Sequence, residues 1–116
     1  MYTQEDVRKL FMQRGEIEME LKVRQAQYYG REAEIPSEMA ARVMALQREL
    51  MTIDGFFAAL SENEAFVIQH HLMEELDWPQ TMALFAQKWG VEAEKSLRSM
   101  KALQEKGLRK IARLLN

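Results

Sequence analysis

Cysteine is absent from this chain, which removes disulfides, thiolate metal sites and cysteine nucleophiles together. Proline and glycine are scarce, two and five among 116 residues, so the chain has few places to turn and should fold as few, long elements. No apolar run approaches the roughly 18 residues of a membrane span, and MYTQEDVRKL at the N-terminus lacks the apolar core of a signal peptide. A cytoplasmic protein with no membrane partner is the expectation. A Gly-rich phosphate loop and a nucleophile elbow are also missing. The only histidines, His70 and His71, are adjacent and point about 100° apart on a helix, so they cannot share one metal ion as an i, i+4 pair can. The paired carboxylates Glu74-Glu75 and Glu62/Glu64 fall at capping or exposed positions where no cleft is implied. The sequence therefore reads as a non-enzyme with no catalytic residue, no metal site and no cofactor.

What is present is a globular balance, 47% hydrophobic and 29% charged, on a chain short enough that any single core is limited. The net charge of −2 hides a division along the chain. Residues 1–78 carry 8 basic against 15 acidic side chains, a balance of −7; residues 79–116 carry 8 against 3, a balance of +5. An anionic partner therefore belongs at the C-terminal end.

Hydrophobic periodicity predicts five helices. The first spans about Thr3 to Tyr29, with Glu5 and Asp6 in its first turn and Gly30 placed to cap its end. Its stripe of Val7, Leu10, Ile17, Leu21 and Tyr28 is interrupted by Arg14 and Arg24, which must snorkel or pair. In the second helix Met39, Val43, Leu46, Leu50, Ile53, Phe57 and Leu60 alternate four- and three-residue spacings, a coiled-coil seam, with Ser37 as its expected cap. The short loop from Gly30 to Pro36 makes these two helices antiparallel neighbours, and the seam suits both a hairpin alone and one that also forms a homodimer. Met39, Met44 and Met51 are flexible core filler or an adaptable partner surface.

Ser61 and Glu64 announce a third helix by a capping box, with Leu60 placed to staple onto Ala65. Asp77-Trp78-Pro79 ends it, and Pro79 suits the first position of a fourth helix running to about Trp89. Gly90-Val91 breaks the chain again, and a fifth helix is expected over Glu92 to Leu115, with Gly107 a weak point worth about 1 kcal/mol against alanine. On the wheel of that helix Leu97, Met100, Leu103, Leu108, Ile111, Leu114 and Leu115 fall on one side. Lys95, Arg98, Lys106, Arg109, Lys110 and Arg113 share a sector of roughly 120°, with Lys101 off it and Glu105 on its margin. Such a basic face is by itself most often only solvated. Here it follows Met82, Phe85, Ala86, Trp89, Gly90 and Val91, a small residue and a glycine turn four apart that suit a helix-turn-helix. Trp78 and Trp89 are read as core rather than ligand stackers.

Leu60, Glu64, Val67 and Ile68, then Phe85-Ala86 and Trp89-Gly90-Val91, then Leu108-Arg109-Lys110-Ile111 carry a resemblance. Residues 60–115 resemble region 4 of sigma-70-type factors, and the whole chain is similar to phage and mobile-element regulators of the ArpU and RinA kind. The apolar pair after the turn is Leu97 and Met100 rather than positions 96 and 99, which reads as a turn one residue longer. The resemblance implies sequence-specific binding of double-stranded DNA in transcription regulation, with RNA polymerase as a further partner.

The expected architecture is all-α: an N-terminal antiparallel helical hairpin over residues 1–60, then a three-helix helix-turn-helix DNA-binding domain over residues 61–116. Glu94, Lys95, Arg98, Ser99 and Lys101 lie early enough on the last helix to approach base edges, with Arg98 the best candidate for guanine. Lys106, Arg109, Lys110 and Arg113 are placed for phosphates or for no contact, and Gln80 and Thr81 for phosphate through the N-terminus of the fourth helix. The rival expectation is a protein-interaction module, a sigma-like decoy or adaptor whose basic helix never touches DNA.

Overall fold

Among the described residues, five α-helices joined by short 3₁₀ and π-helical turns occur and no strand does; the computed structural model describes residues 1–93 and 95–116. Helix α1, Gln4–Gln27, opens on a capping box in which the Thr3 hydroxyl accepts the Asp6 N–H and the Asp6 carboxylate accepts the Thr3 N–H. Helix α2, Ser37–Phe56, starts differently from expectation: Pro36 is its cap residue and the Ser37 hydroxyl makes no capping bond. The extended backbone of Pro36 aims its carbonyl inward to accept the Ala40 N–H at 2.9 Å, so Ser37 is already helical.

α1 and α2 pack antiparallel, because Arg14 of α1 pairs with Asp54 of α2 at 2.7 Å while Glu20 pairs with Arg42 at 2.8 Å. Both arginines that break the α1 stripe are thereby satisfied. Arg14 spans Asp54 and Glu18, and Arg24 donates to Glu20 and to the Met39 sulfur. Hydrogen bonds from Arg42 and then Arg24 hold the Glu20 carboxyl down to about 2.

One continuous core crosses residue 60. Val7, Phe11, Ile17 and Leu21 of α1 and Leu46, Ile53 and Phe56 of α2 join Ile68, Leu72, Leu108, Ile111 and Ala112. Phe11 is fully buried, edge-on to Phe56 and Phe57 at 5.8 and 5.5 Å, although the stripe read from spacing names Leu10. A straight helix of 3.6 residues per turn drifts off a strict 3.5 repeat, and a side chain of this size commands the seam where three helices meet.

Helix α3, Glu62–Val67, begins on the expected Ser61/Glu64 capping box and runs on as a π-helical turn over Ile68–Met73. Glu75 then turns the chain with φ 57°, and the Leu76 N–H returns to the His70 carbonyl at 3.0 Å. Helix α4, Trp78–Trp89, is capped by Asp77, whose carboxylate accepts the Gln80 N–H at 2.8 Å; Trp78 is its first residue and Pro79 its second. Gly90 leaves α4 at φ 91°, a backbone that an L side chain rarely adopts, and a 3₁₀ turn follows over Val91–Ala93.

Helix α5, Leu97–Leu115, starts five residues later than the expected Glu92. Ser96 is the reason: its hydroxyl accepts the Ser99 N–H at 3.2 Å, a stronger start signal than a glutamate inside the preceding turn. A second core of Val67, Phe85 and Met100, surrounded by Phe66, Trp78, Met82, Trp89 and Leu103, holds α4 to α3 and α5, with both tryptophans half-buried against it. Among the described residues no helix is long and apolar enough to cross a membrane.

Candidate nucleic-acid interface

The rotation of α5 about its own axis decides which side chains meet solvent. Met100, Gln104, Gly107, Leu108, Ile111 and Ala112 are buried on one side. Gly107 makes the closest crossing: a Cβ there would lie 2.8 Å from Ile68 Cδ1 and 3.3 Å from Leu60 Cδ2. Beyond the expected weak point in helix propensity, Gly107 is thus the place where α5 packs directly against the Ile68 and Leu60 side chains.

One turn along, Glu64 is 1% exposed and makes three hydrogen bonds to two residues. Its carboxylate accepts from the Ser61 N–H at 2.8 Å and from the Lys110 ammonium at 2.7 Å, while its own N–H donates to the Ser61 hydroxyl. Burial opposes its charge, but the bonds from Lys110 and Ser61 prevail and leave its carboxyl below the ordinary value. Lys110 is thus occupied in a cross-helix ion pair.

With α5 fixed in this way, Arg98, Lys101, Lys106, Arg109 and Arg113 are exposed. None of them is ion-paired with another described residue; among described residues Lys110 is the α5 cation that is. Along 19 residues, about 28 Å of helix, the outer face carries these cations together with Ala102 and Glu105.

The other residues expected at this site are placed less uniformly. Lys95 is half-buried and precedes α5 rather than lying on it, because the helix starts at Leu97. The Ser99 hydroxyl accepts from that of Ser96 at 3.1 Å and remains exposed. Gln80 is exposed, with its side chain closing the α4 capping box on the Asp77 N–H. Thr81 is fully buried and donates its hydroxyl to the Asp77 carbonyl at 2.9 Å, so its side chain does not reach the surface. Glu94 lies outside the described residues.

Two residues that sequence reasoning passed over stand on the exposed face: Ala102, which it did not weigh, and Glu105, which it left at the margin. Shallow clefts flank Ala102, one lined by Leu97, Arg98, Lys101 and Glu105, the other by Lys95, Ser99, Leu103 and Lys106. The signal for Ser96 was present in the sequence as a serine placed directly before the first apolar-periodic residues.

Nothing among family models, curated proteins or solved structures matches the chain. The site therefore rests on its geometry. A helix with five exposed cations, anchored by close packing on its far side and by a part-buried ion pair, is suited to lie along a polyanion.

Proposed function

We propose that this chain is a sequence-specific DNA-binding transcriptional regulator in which α4, the Gly90 turn and α5 act as a helix-turn-helix. The observation that carries this reading is the exposed cationic face of α5, opposite its buried anchor. In this scheme residues 61–116 form the DNA-reading unit, α4 braces α5, and α5 enters the major groove by its N-terminal half. Arg98 approaches base edges while Lys101 and Lys106 contact phosphates on either side and Arg109 and Arg113 contact phosphates farther along the helix. The antiparallel α1 and α2 then support the reading unit through the shared core.

A second reading is favoured by a different surface. Met12, Met19 and Val23 of α1 and Met44 and Met51 of α2 are exposed apolar side chains on the first two helices. They favour a protein-interaction module of the sigma-like decoy or adaptor kind, with RNA polymerase or a second copy of the chain as partner.

Charge reversal separates the two. Under the DNA reading, Arg98→Glu with Lys106→Glu abolishes binding to duplex DNA while the circular dichroism spectrum stays that of the wild type. Under the interaction reading the wild type shows no duplex binding for the reversal to remove.

A further inference from the structure

Within the proposed DNA interface, the start of α5 at Leu97 changes which side chains face outward first. At about 100° per residue, Arg98, Ala102 and Glu105 form a line diametrically opposite the buried Met100, Gly107 and Ile111. All three are exposed. Lys101 and Lys106 fall roughly 70° to either side of that line. The line rises about 10.5 Å from Arg98 to Glu105, close to three base-pair steps of about 3.4 Å.

The composition of the line is informative in itself. Glu105 has cations at Lys101 and Arg109, four residues away in each direction, yet pairs with no described residue. A carboxylate in the middle of a phosphate-contacting face repels the partner unless it accepts a hydrogen bond, and the base edge that offers a donor without an adjacent ring-nitrogen acceptor to repel it is the cytosine amino group. Ala102 stands between two shallow clefts, where its methyl leaves room for a thymine methyl and makes an apolar contact with it. Arg98 supplies the forked donor that matches the two guanine acceptors.

We infer that Arg98, Ala102 and Glu105 are the specificity-determining residues of this protein, reading a guanine, a thymine and a cytosine within a run of about four base pairs, while Lys101 and Lys106 straddle the groove on phosphates. This rests on the DNA reading proposed above.

Selection from a randomised duplex pool, followed by sequencing of the bound fraction, tests it. The wild type should enrich a short core containing a cytosine column that it prefers by about tenfold or more. Glu105→Gln should move that column to adenine, since a carboxamide pairs with the two adenine groups of the major groove. Because Glu105→Gln also removes a negative charge, discrimination is compared between columns within one variant, where the general gain in affinity cancels. Replacing thymine by uracil in the enriched site should weaken the wild type about fourfold, the worth of one buried methyl, and leave Ala102→Gly unaffected. If the wild type enriches a core and Glu105→Gln enriches the same core with the same discrimination, the specificity assignment is overturned while the DNA reading stands. If the wild type enriches nothing and binds no duplex, the DNA reading fails and takes this assignment with it.

Discussion

Gly107→Ala separates two views of the same glycine. Read from helix propensity alone, alanine in the interior of α5 should stabilise the protein by about 1 kcal/mol. In the structure the added methyl would lie 2.8 Å from Ile68 Cδ1, 3.3 Å from Leu60 Cδ2 and 3.5 Å from Glu64 Cβ. The neighbours are side-chain atoms of a fully buried Ile68 and its surroundings, so the methyl is accommodated only if the Ile68 terminal carbon shifts within the core. Overpacking a filled core costs roughly 1–3 kcal/mol, which outweighs the propensity gain and leaves a net loss of about 1 kcal/mol. Gly15→Ala and Gly55→Ala are the controls: both glycines lie inside helices with nothing within 4 Å of an added Cβ. Each should gain about 0.5–1 kcal/mol. With an unfolding entropy of roughly 2.1 cal/mol/K per residue, 1 kcal/mol moves Tm by about 4 °C in a chain of this length. Reversible thermal unfolding followed by circular dichroism should then show Gly107→Ala melting below the wild type and both controls above it. Stabilisation by Gly107→Ala equal to that of the controls would refute the close crossing and the rotation of α5 that depends on it.

Further outcomes follow from particular contacts. Lys110→Gln should lower Tm without changing the salt dependence of DNA binding, because Lys110 is held by Glu64, whereas Arg109→Gln should leave Tm unchanged and reduce the salt slope by about 1. His71, stacked on Trp78 at 3.6 Å, has its pKa lowered chiefly by burial, so the unfolded chain takes up a proton that the folded chain resists. Stability should therefore fall as pH drops below 6.5, and His71→Phe should remove that part of the pH dependence in urea unfolding measured across the range. Glu75 turns the chain at φ 57°, where a side chain costs about 1–2 kcal/mol against the roughly 0.5–1 kcal/mol that glycine loses in backbone entropy, so Glu75→Gly should raise Tm by up to about 4 °C; a lower Tm would contradict a strained turn.

The helices were legible in the sequence wherever pattern and punctuation agreed. Ser61 with Glu64 and Asp77 before Pro79 mark helix starts because one side chain satisfies an otherwise orphaned amide, a local effect that tertiary packing does not override. The start of α5 was misread because Glu92 suits a helix start by charge, whereas a hydroxyl hydrogen bond to the backbone at Ser96 is the stronger signal. Phe11 and Gly107 were illegible for another reason. Which residue of a stripe reaches the core, and whether a glycine is a flaw or a crossing point, depends on a partner helix far along the chain. Of the expected site, Arg98, Lys101, Lys106, Arg109 and Arg113 could be read from the wheel because exposure follows periodicity. Lys110 sits in the same sector and is drawn away by Glu64, 46 residues earlier, a pairing that no local pattern encodes.

The most direct test of the central claim is a titration of the purified protein against duplex DNA at several salt concentrations. With Lys101, Lys106, Arg109 and Arg113 on phosphates and Arg98 on a base, the logarithm of the binding constant should fall against the logarithm of salt with a slope of about −3 to −5. One sequence should be retained at salt that releases the others. Absence of duplex binding even at low salt would contradict the assignment of α5 as a DNA-reading helix.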